Sequence, residues 1–424
     1  MYTPFKRVKE YWKTLGPGLT TGAADDDPSG IATYSQVGAS KGFSLIWLSL
    51  FSLPLMAVVQ EMCGRIGLVT GEGLATNIKK HYSKSVLFVC TFLLVFANVF
   101  NIGADLGAMA KSVQLLSPTT PFVFLVIFFA LLSLVLQIYI PYKTYSKYLK
   151  YLALVLLSYV FVAFMIDIDW ITVLRHSILP SFNFSKEDIV LICAVLGTTI
   201  SPYLFFWQTS QEVEDQIMKG DDTLEKRINN TKKKDIKDMR TDTWSGAIVS
   251  NVVMFFIIAV CSATLYENGI MNIASAEQAA SALRPFAGDF AFLLFTVGIV
   301  GTGLLAIPVL AGSASYAVSE TLGIKEGLFL KFKEAHSFYL VIIIAVLLGI
   351  ILNFIGIDPI KTLIYSAILN GVISPVMIFF IVRISGSSEI MGKYRNKKWT
   401  SFFGWFAVIL MSAVAFSTIY FILF

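Results

Sequence analysis

The sequence predicts an all-α membrane protein that crosses the bilayer many times. Three observations carry that prediction. The chain of 424 residues is 56% hydrophobic and only 14% charged, too little polar surface for a water-soluble protein of this size. Apolar stretches of about 18 residues or more recur along its whole length, each able to span the hydrocarbon core as a helix. Strict alternation of apolar and polar residues, the mark of a membrane β-barrel, is absent.

Eleven spans follow in order, at 17–39, 44–66, 86–109, 121–140, 148–168, 188–210, 244–266, 290–316, 338–356, 360–383 and 401–423. The stretch before the first, MYTPFKRVKEYWKTLGPG, is basic but holds no apolar h-region and no small-residue cleavage site, so no removed signal peptide is expected. The eighth span, VGIVGTGLLAIPVLAGSAS, is glycine-rich, which suits close approach of neighbouring helices. The four cysteines, Cys63, Cys90, Cys193 and Cys261, lie in or beside apolar segments and form no CxxC pair. They read as small core residues, with no disulfide framework or metal–thiolate site.

Charge sets the orientation. With the N-terminus in the cytoplasm, cytoplasmic segments hold 27 of the 33 Lys and Arg, among them Lys6, Arg7, Lys9 and Lys13, and Lys143, Lys147 and Lys150. The positive-inside rule then predicts a multi-pass plasma-membrane protein with its N-terminus cytoplasmic and its C-terminus outside. The net charge of +5 reflects this topology and makes no case for nucleic-acid binding. The charged loop after the sixth span reads as a solvated, partly helical surface segment. Its basic run Lys232 to Lys234 is placed to touch anionic headgroups.

Two spans interrupt themselves. In GPGLTTGAADDDPSGIATYSQVGA, Pro28 removes a backbone donor and disfavours helix at Asp27, so unwinding is expected over Asp27 to Gly30. In LGTTISPYLFFWQ, Pro202 follows Gly197, Thr198, Thr199 and Ser201 in the middle of the sixth span. The two breaks lie five spans apart, in corresponding positions of two oppositely oriented halves. Paired broken segments of that kind mark a transporter's binding site, whereas either proline alone is an ordinary kink. Unwound backbone at membrane depth survives only where it is buried in protein or lines a cavity.

A carboxylate inside the bilayer costs about 3 kcal/mol even on translocon scales. Asp27, nearest the break, is the expected cation ligand. Successive helical residues point about 100° apart, so Asp25 and Asp26 are expected to face other helices or a water-filled vestibule. The other candidate ligands are carbonyls freed around Ala24 and around Thr198 to Ile200, and the hydroxyls of Thr198, Thr199 and Ser201. All are oxygens, and no Met, Cys or His lies at either break. Oxygen ligands favour hard cations, and one carboxylate among neutral groups suits Mg²⁺ that keeps some of its water. Asn370, within the tenth span, is a further candidate ligand or, equally, helix–helix glue. SQEVED places Glu212, Glu214 and Asp215 after the sixth span, where a solvated acidic helix end is the plainer reading.

These two stretches resemble the first and sixth helices of the NRAMP (natural resistance-associated macrophage protein) family of divalent-metal transporters. That family reads Asp-Pro-Gly-Asn in the first and Gly-Ala-x-x-Met-Pro-His in the sixth. The resemblance covers the whole chain in span count and is specific in these two stretches. It implies a leucine-transporter-type fold, with inverted five-helix repeats at about 17–168 and 188–383 and an eleventh helix at about 401–423, all in a single transmembrane domain. Asp27 matches the family's metal-binding aspartate. Gly30 stands at its asparagine, Thr198 at its carbonyl-offering alanine, Ser201 at its methionine and Tyr203 at its histidine.

Loss of the thioether removes a preference for soft metals, and loss of the asparagine amide leaves room for water. DDDPSG with TTISPY looks like the subgroup of NRAMP-related magnesium transporters, which implies Mg²⁺ and Mn²⁺ as cargo and no further cofactor. In FANVFNIGADLGAMAK, the family's third-helix acids fall at Asn101 and Ala104, with Asp105 one residue away. The ninth span, where the family has a basic partner, carries no charge. Uptake uncoupled from protons is therefore expected. A divalent cation entering across −100 mV gains about 4.6 kcal/mol. Asp25, Asp26, Asp105 and Tyr203 are expected behind the ligands or along a vestibule. The expected partners are divalent cations and lipid, with no obligatory protein partner.

Three rival readings stand beside this one. A proton-coupled Mn²⁺/Fe²⁺ transporter is disfavoured by Ser201 and the chargeless ninth span. An organic-substrate symporter, for example for amino acids, is disfavoured because three adjacent acids would repel a substrate carboxylate, and an intramembrane aspartyl enzyme by the lack of a water-activating motif around Asp105.

Overall fold

The computed structural model describes residues 15–140, 144, 156–181, 185–273 and 275–424. The predicted Lys and Arg of the N-terminal stretch, those at 143, 147 and 150, and the start of the fifth span lie outside the described residues. Within them the chain is helical and contains no strand. Eight helical segments there are long and apolar enough to cross a membrane.

The first span is two short helices, α1 (Pro17–Asp25) and α2 (Pro28–Lys41). Then come α3 (Trp47–Thr70), the short α4 (Leu74–His81), the long α5 (Lys84–Leu116) and α6 (Phe122–Tyr139). α7 (Leu157–Met165) is the described part of the fifth span, and α8 (Trp170–Ile178) follows it. The sixth span is again two helices, α9 (Lys186–Thr199) and α10 (Pro202–Met218). After α11 (Leu224–Asn230), α12 (Lys233–Cys261) starts well before the apolar stretch it carries. α13 (Ala276–Ser281), α14 (Ala291–Leu322), α15 (His336–Leu352), α16 (Pro359–Gly386) and α17 (Lys398–Leu423) complete the chain. Gly71 and Gly323 end α3 and α14 in the left-handed conformation that glycine adopts without strain.

α5 packs along α14, α9 against α16, and α12 against both α1 and α3. Small residues let the backbones meet. A Cβ on Gly18 would lie 2.5 Å from Thr243 N, and one on Gly22 2.5 Å from the Gly246 carbonyl carbon. A Cβ on Gly197 would likewise strike the α16 backbone at Gly371, 2.3 Å from its nitrogen in the absence of any adjustment, so these contacts require glycine. α17 has most of its surface turned outward.

The described helix ends gather into two groups. Glu61 holds Arg240 at 2.6 Å, Arg65 bonds Asn396, and Asp242 meets Gly16, so these four regions share one end of the bundle. Lys41 pairs with Glu187 at 2.6 Å and with Asp188 at 2.8 Å at the opposite end.

The first break falls upstream of its expected place. Asp26 leaves helical geometry (φ −82°, ψ 49°) and Asp27 is extended (φ −70°, ψ 172°), but Pro28 already opens α2. Proline at the first helical position starts a helix, because its missing N–H has no partner to lose there. Gly30 is therefore helical, and unwinding is confined to Asp26 and Asp27. The second break repeats the pattern, with Ile200 (φ −120°, ψ 61°), extended Ser201 (φ −83°, ψ 138°) and Pro202 opening α10.

Candidate metal site

Asp27 is the N-cap of α2. Its Oδ1 accepts the Gly30 N–H at 2.7 Å, and its Oδ2 accepts from Asn101 Nδ2 of α5 at 2.9 Å. The Asn101 carbonyl accepts from Ser366 Oγ of α16 at 2.7 Å. One donor on each oxygen holds the carboxylate in place, and each oxygen keeps acceptor capacity for a cation or its water. Asp27 is 1% exposed.

The carbonyls freed at the breaks already meet hydroxyls. Tyr203 OH donates to Ala24 O at 3.0 Å, across from one break to the other. Ser201 Oγ lies 2.7 Å from both Gly197 O and Thr198 O, and Ser374 Oγ donates to Ile200 O at 2.6 Å. A carbonyl with one such donor retains a second lone pair, and a hydroxyl that donates still offers its oxygen. Thr198 Oγ1 lies 3.2 Å from where a Cβ on Gly30 would sit, which brings the two breaks side by side. Thr199 turns elsewhere. Its hydroxyl bonds Val195 O at 2.7 Å, meets Tyr34 OH at 3.3 Å and lies 4.0 Å from the Met254 sulfur.

Asn370 sits on α16 between Ser366, which reaches Asp27 through Asn101, and Ser374, which reaches Ile200. Residues four apart share a helix face, so Asn370 is turned toward the same junction. Its Oδ1 is buried with no hydrogen-bond partner among the described residues.

The other acids lie around this junction. Asp25 Oδ2 and Asp26 Oδ1 share the Ser250 hydroxyl of α12, at 2.6 and 3.2 Å. Asp105 is close enough to feel the charge of Asp27, and neither of its oxygens has a hydrogen-bond partner among the described residues. Asp25, Asp26 and Asp105 are at most 3% exposed, so they line no open vestibule in this conformation.

Glu212 and Glu214 are buried instead of forming a solvated helix end. Gln208 Nε2 donates to Glu212 at 2.8 Å, while Tyr316 OH and the Leu328 N–H donate to Glu214. The segment after α14 folds over Glu214, and Gly67 of α3 packs against Glu212, which the acidic run by itself does not reveal. Reasoning from sequence also missed Asn101, Ser366 and Ser374 as site residues. A signal existed for α16, since Ser366, Asn370 and Ser374 recur every four residues on an apolar helix.

Comparison with known proteins bears on this geometry. A family model described as natural resistance-associated macrophage protein-like (Nramp) matches residues 18–421. The chain is 24% identical over 396 residues to a protein named divalent metal cation transporter MntH from Caldanaerobacter subterraneus, covering 92% of this chain and 88% of that one. It is 24% identical over 411 residues to the protein of the same name from Klebsiella pneumoniae, covering 94% and 91%. Its fold is similar to that of the Eremococcus coleocola manganese transporter, with TM-score 0.75, 16% identity and coverage of 99% of this chain and 88% of that one. It is also similar to Mhp1, a nucleobase-cation-symport-1 family transporter, with TM-score 0.59, 13% identity and coverage of 96% and 92%. The fold is the leucine-transporter type.

Proposed function

Because this chain belongs to the natural resistance-associated macrophage protein-like (Nramp) family, we propose that it carries divalent metal cations across the membrane, with Mg²⁺ as main cargo and Mn²⁺ accepted. One observation carries the reading. Asp27, a buried carboxylate held by the Gly30 N–H and the Asn101 amide N–H, sits where two broken helices meet, beside the hydroxyl and carbonyl oxygens of the sixth-span break. Such a set suits a hard cation that retains part of its hydration. Asp27 supplies the charge. Ser201, Thr198, the Ala24 carbonyl and Asn370 supply neutral oxygens, Gly30 lets Thr198 close up beside it, and Thr199 braces the sixth-span break. Asp25, Asp26, Tyr203 and Asp105 support the junction from behind.

Transport in this reading is uncoupled from protons and driven by the membrane potential and the gradient. Asn101, a group that does not titrate, is what bonds Asp27 on α5. The Lys- and Arg-rich end of the bundle faces the cytoplasm, with the N-terminus inside and the C-terminus outside. The two inverted repeats move about the breaks at Asp26–Asp27 and Ile200–Ser201.

A second reading, a proton-coupled Mn²⁺/Fe²⁺ transporter, draws on Asp105, an acid on α5 whose oxygens have no hydrogen-bond partner among the described residues. One experiment separates the two. Mg²⁺ and Mn²⁺ uptake is measured in proteoliposomes holding a pH dye, for the wild type and Asp27→Ala. The expected result is uptake of both ions without acidification, and none in the variant. Unchanged uptake by Asp27→Ala sinks the site assignment, and acidification that tracks the metal favours the second reading.

A further inference from the structure

A groove of about 640 Å³ opens where α16 ends and α17 begins. Its two walls differ in chemistry. One carries Arg395, Lys397 and Lys398, all exposed, and among the described residues no carboxylate pairs with any of them. The other is the first turns of α17, where Phe402, Trp405 and Phe406 stand half-exposed. The Phe402 and Phe406 rings lie 6.2 Å apart and 7° from parallel, a flat aromatic face that continues along an outward-facing helix.

We infer that this groove binds an anionic phospholipid, its headgroup phosphate on Arg395, Lys397 and Lys398 and an acyl chain along Phe402 and Phe406. Charge complementarity selects the head: three clustered cations without a protein anion attract a negative partner. The apolar wall selects the tail, since a free phosphate would use the cations and leave the aromatic face idle. Trp405, edge-on to Phe379 at 5.8 Å, completes the aromatic wall.

The groove is built into the transporter's frame. Asn396, set among the three cations, donates its backbone N–H to Ser385 O at 2.9 Å and its Nδ2 to Ser385 Oγ at 2.9 Å. Its Oδ1 accepts from Arg65, which faces Glu61 at 3.6 Å, and Glu61 holds Arg240 of α12. A headgroup on this loop therefore bears on the contact between α3 and α12, and occupancy stabilises the folded transporter.

The test uses the purified full-length chain without added metal, so it stands apart from the cargo. Lipid retention is read by native mass spectrometry after reconstitution in phosphatidylcholine alone or doped with phosphatidylglycerol, with the thermal midpoint read alongside. The wild type is expected to retain phosphatidylglycerol over phosphatidylcholine and to melt higher with it. Arg395→Gln, Lys397→Gln and Lys398→Gln together are expected to abolish both effects, each single change weakening retention roughly five-fold. Should the triple variant fail to fold, the single variants decide, and undiminished retention in all three overturns the site. Equal retention of the two lipids by the wild type overturns it as well. Displacement of phosphatidylglycerol by inorganic phosphate, with the same rise in midpoint, overturns the lipid assignment in favour of a free-anion site.

Discussion

Asn101 donates to Asp27 across 74 positions of sequence, its Nδ2 2.9 Å from Oδ2. The same side chain accepts from Ser366, so one amide ties the first-span break to α5 and α16.

That bond aims the proposed cargo carboxylate. Asn101→Leu leaves buried Asp27 short of a donor, and hydrogen bonds to charged groups contribute about 1.5–3 kcal/mol. The expected outcome is at least a tenfold rise in the half-saturating Mg²⁺ concentration, measured by uptake into proteoliposomes. An unchanged value would show that Asp27 is held without it.

Gly30 and Thr198 form a second pair to test. A Cβ at position 30 would lie 3.2 Å from both Thr198 Oγ1 and Asp25 O, tighter than an ordinary contact. Gly30→Asn is expected to crowd the junction and cut Mg²⁺ uptake about tenfold, since overpacking costs about 1–3 kcal/mol. Adding Thr198→Ala removes one of the two obstructing atoms while keeping the Thr198 backbone carbonyl, and is expected to recover part of the loss, the Asp25 carbonyl still crowding position 30. A double-mutant cycle in uptake assays measures this coupling, and simple additivity would refute it.

Asp242 caps α1 from another helix. Its carboxylate accepts from Gly16 N at 2.9 Å, Gly18 N at 2.6 Å and Leu19 N at 3.0 Å. Three donors at a helix N-terminus bind a carboxylate well, and loss of a cap costs about 0.5–2 kcal/mol. Asp242→Ala is expected to lower the thermal midpoint by a few degrees and to raise hydrogen exchange in α1. Exchange at the wild-type rate would show that the glycine contacts alone hold α1 to α12.

Glu326 makes the segment after α14 sensitive to pH. Burial, and then the charges of Glu320 and Glu214, push its carboxyl up to about 10. A carboxyl raised in the folded state binds its proton more tightly there than in the unfolded chain. Its contribution is full below the ordinary glutamate value of 4.5 and is lost progressively as pH rises toward 10. The protection of residues 323–335 from hydrogen exchange, after correction for the base-catalysed intrinsic rate, is therefore expected to fall between about pH 6 and pH 9. Glu326→Gln is expected to flatten the dependence, and an identical pH profile in the variant would remove Glu326 as its cause.

Much of the site is legible in the sequence because its oddities are local. Three acids and a proline inside an apolar stretch announce a break, and Gly197 to Pro202 announces another. The position of the first break was displaced because Pro28 reads equally as an interruption or as the opening of a helix. Only the extended Asp27 before it decides for the second. Glu214 looks solvated in sequence because Tyr316 and Leu328, which bury it, arrive more than a hundred residues later.

The sequence by itself determined the membrane class and the presence of two paired breaks, and it singled out Asp27 as the expected ligand. Those properties follow from hydropathy and backbone chemistry, which act over a few residues at a time. Only the tertiary structure decided which groups meet there: Asn101 on Asp27, Tyr203 on Ala24, Ser374 on Ile200, and Ser250 between Asp25 and Asp26. These partners lie between 74 and 225 residues apart. Where hydrocarbon and packed side chains leave no water to satisfy a polar group, helix packing alone selects its partner.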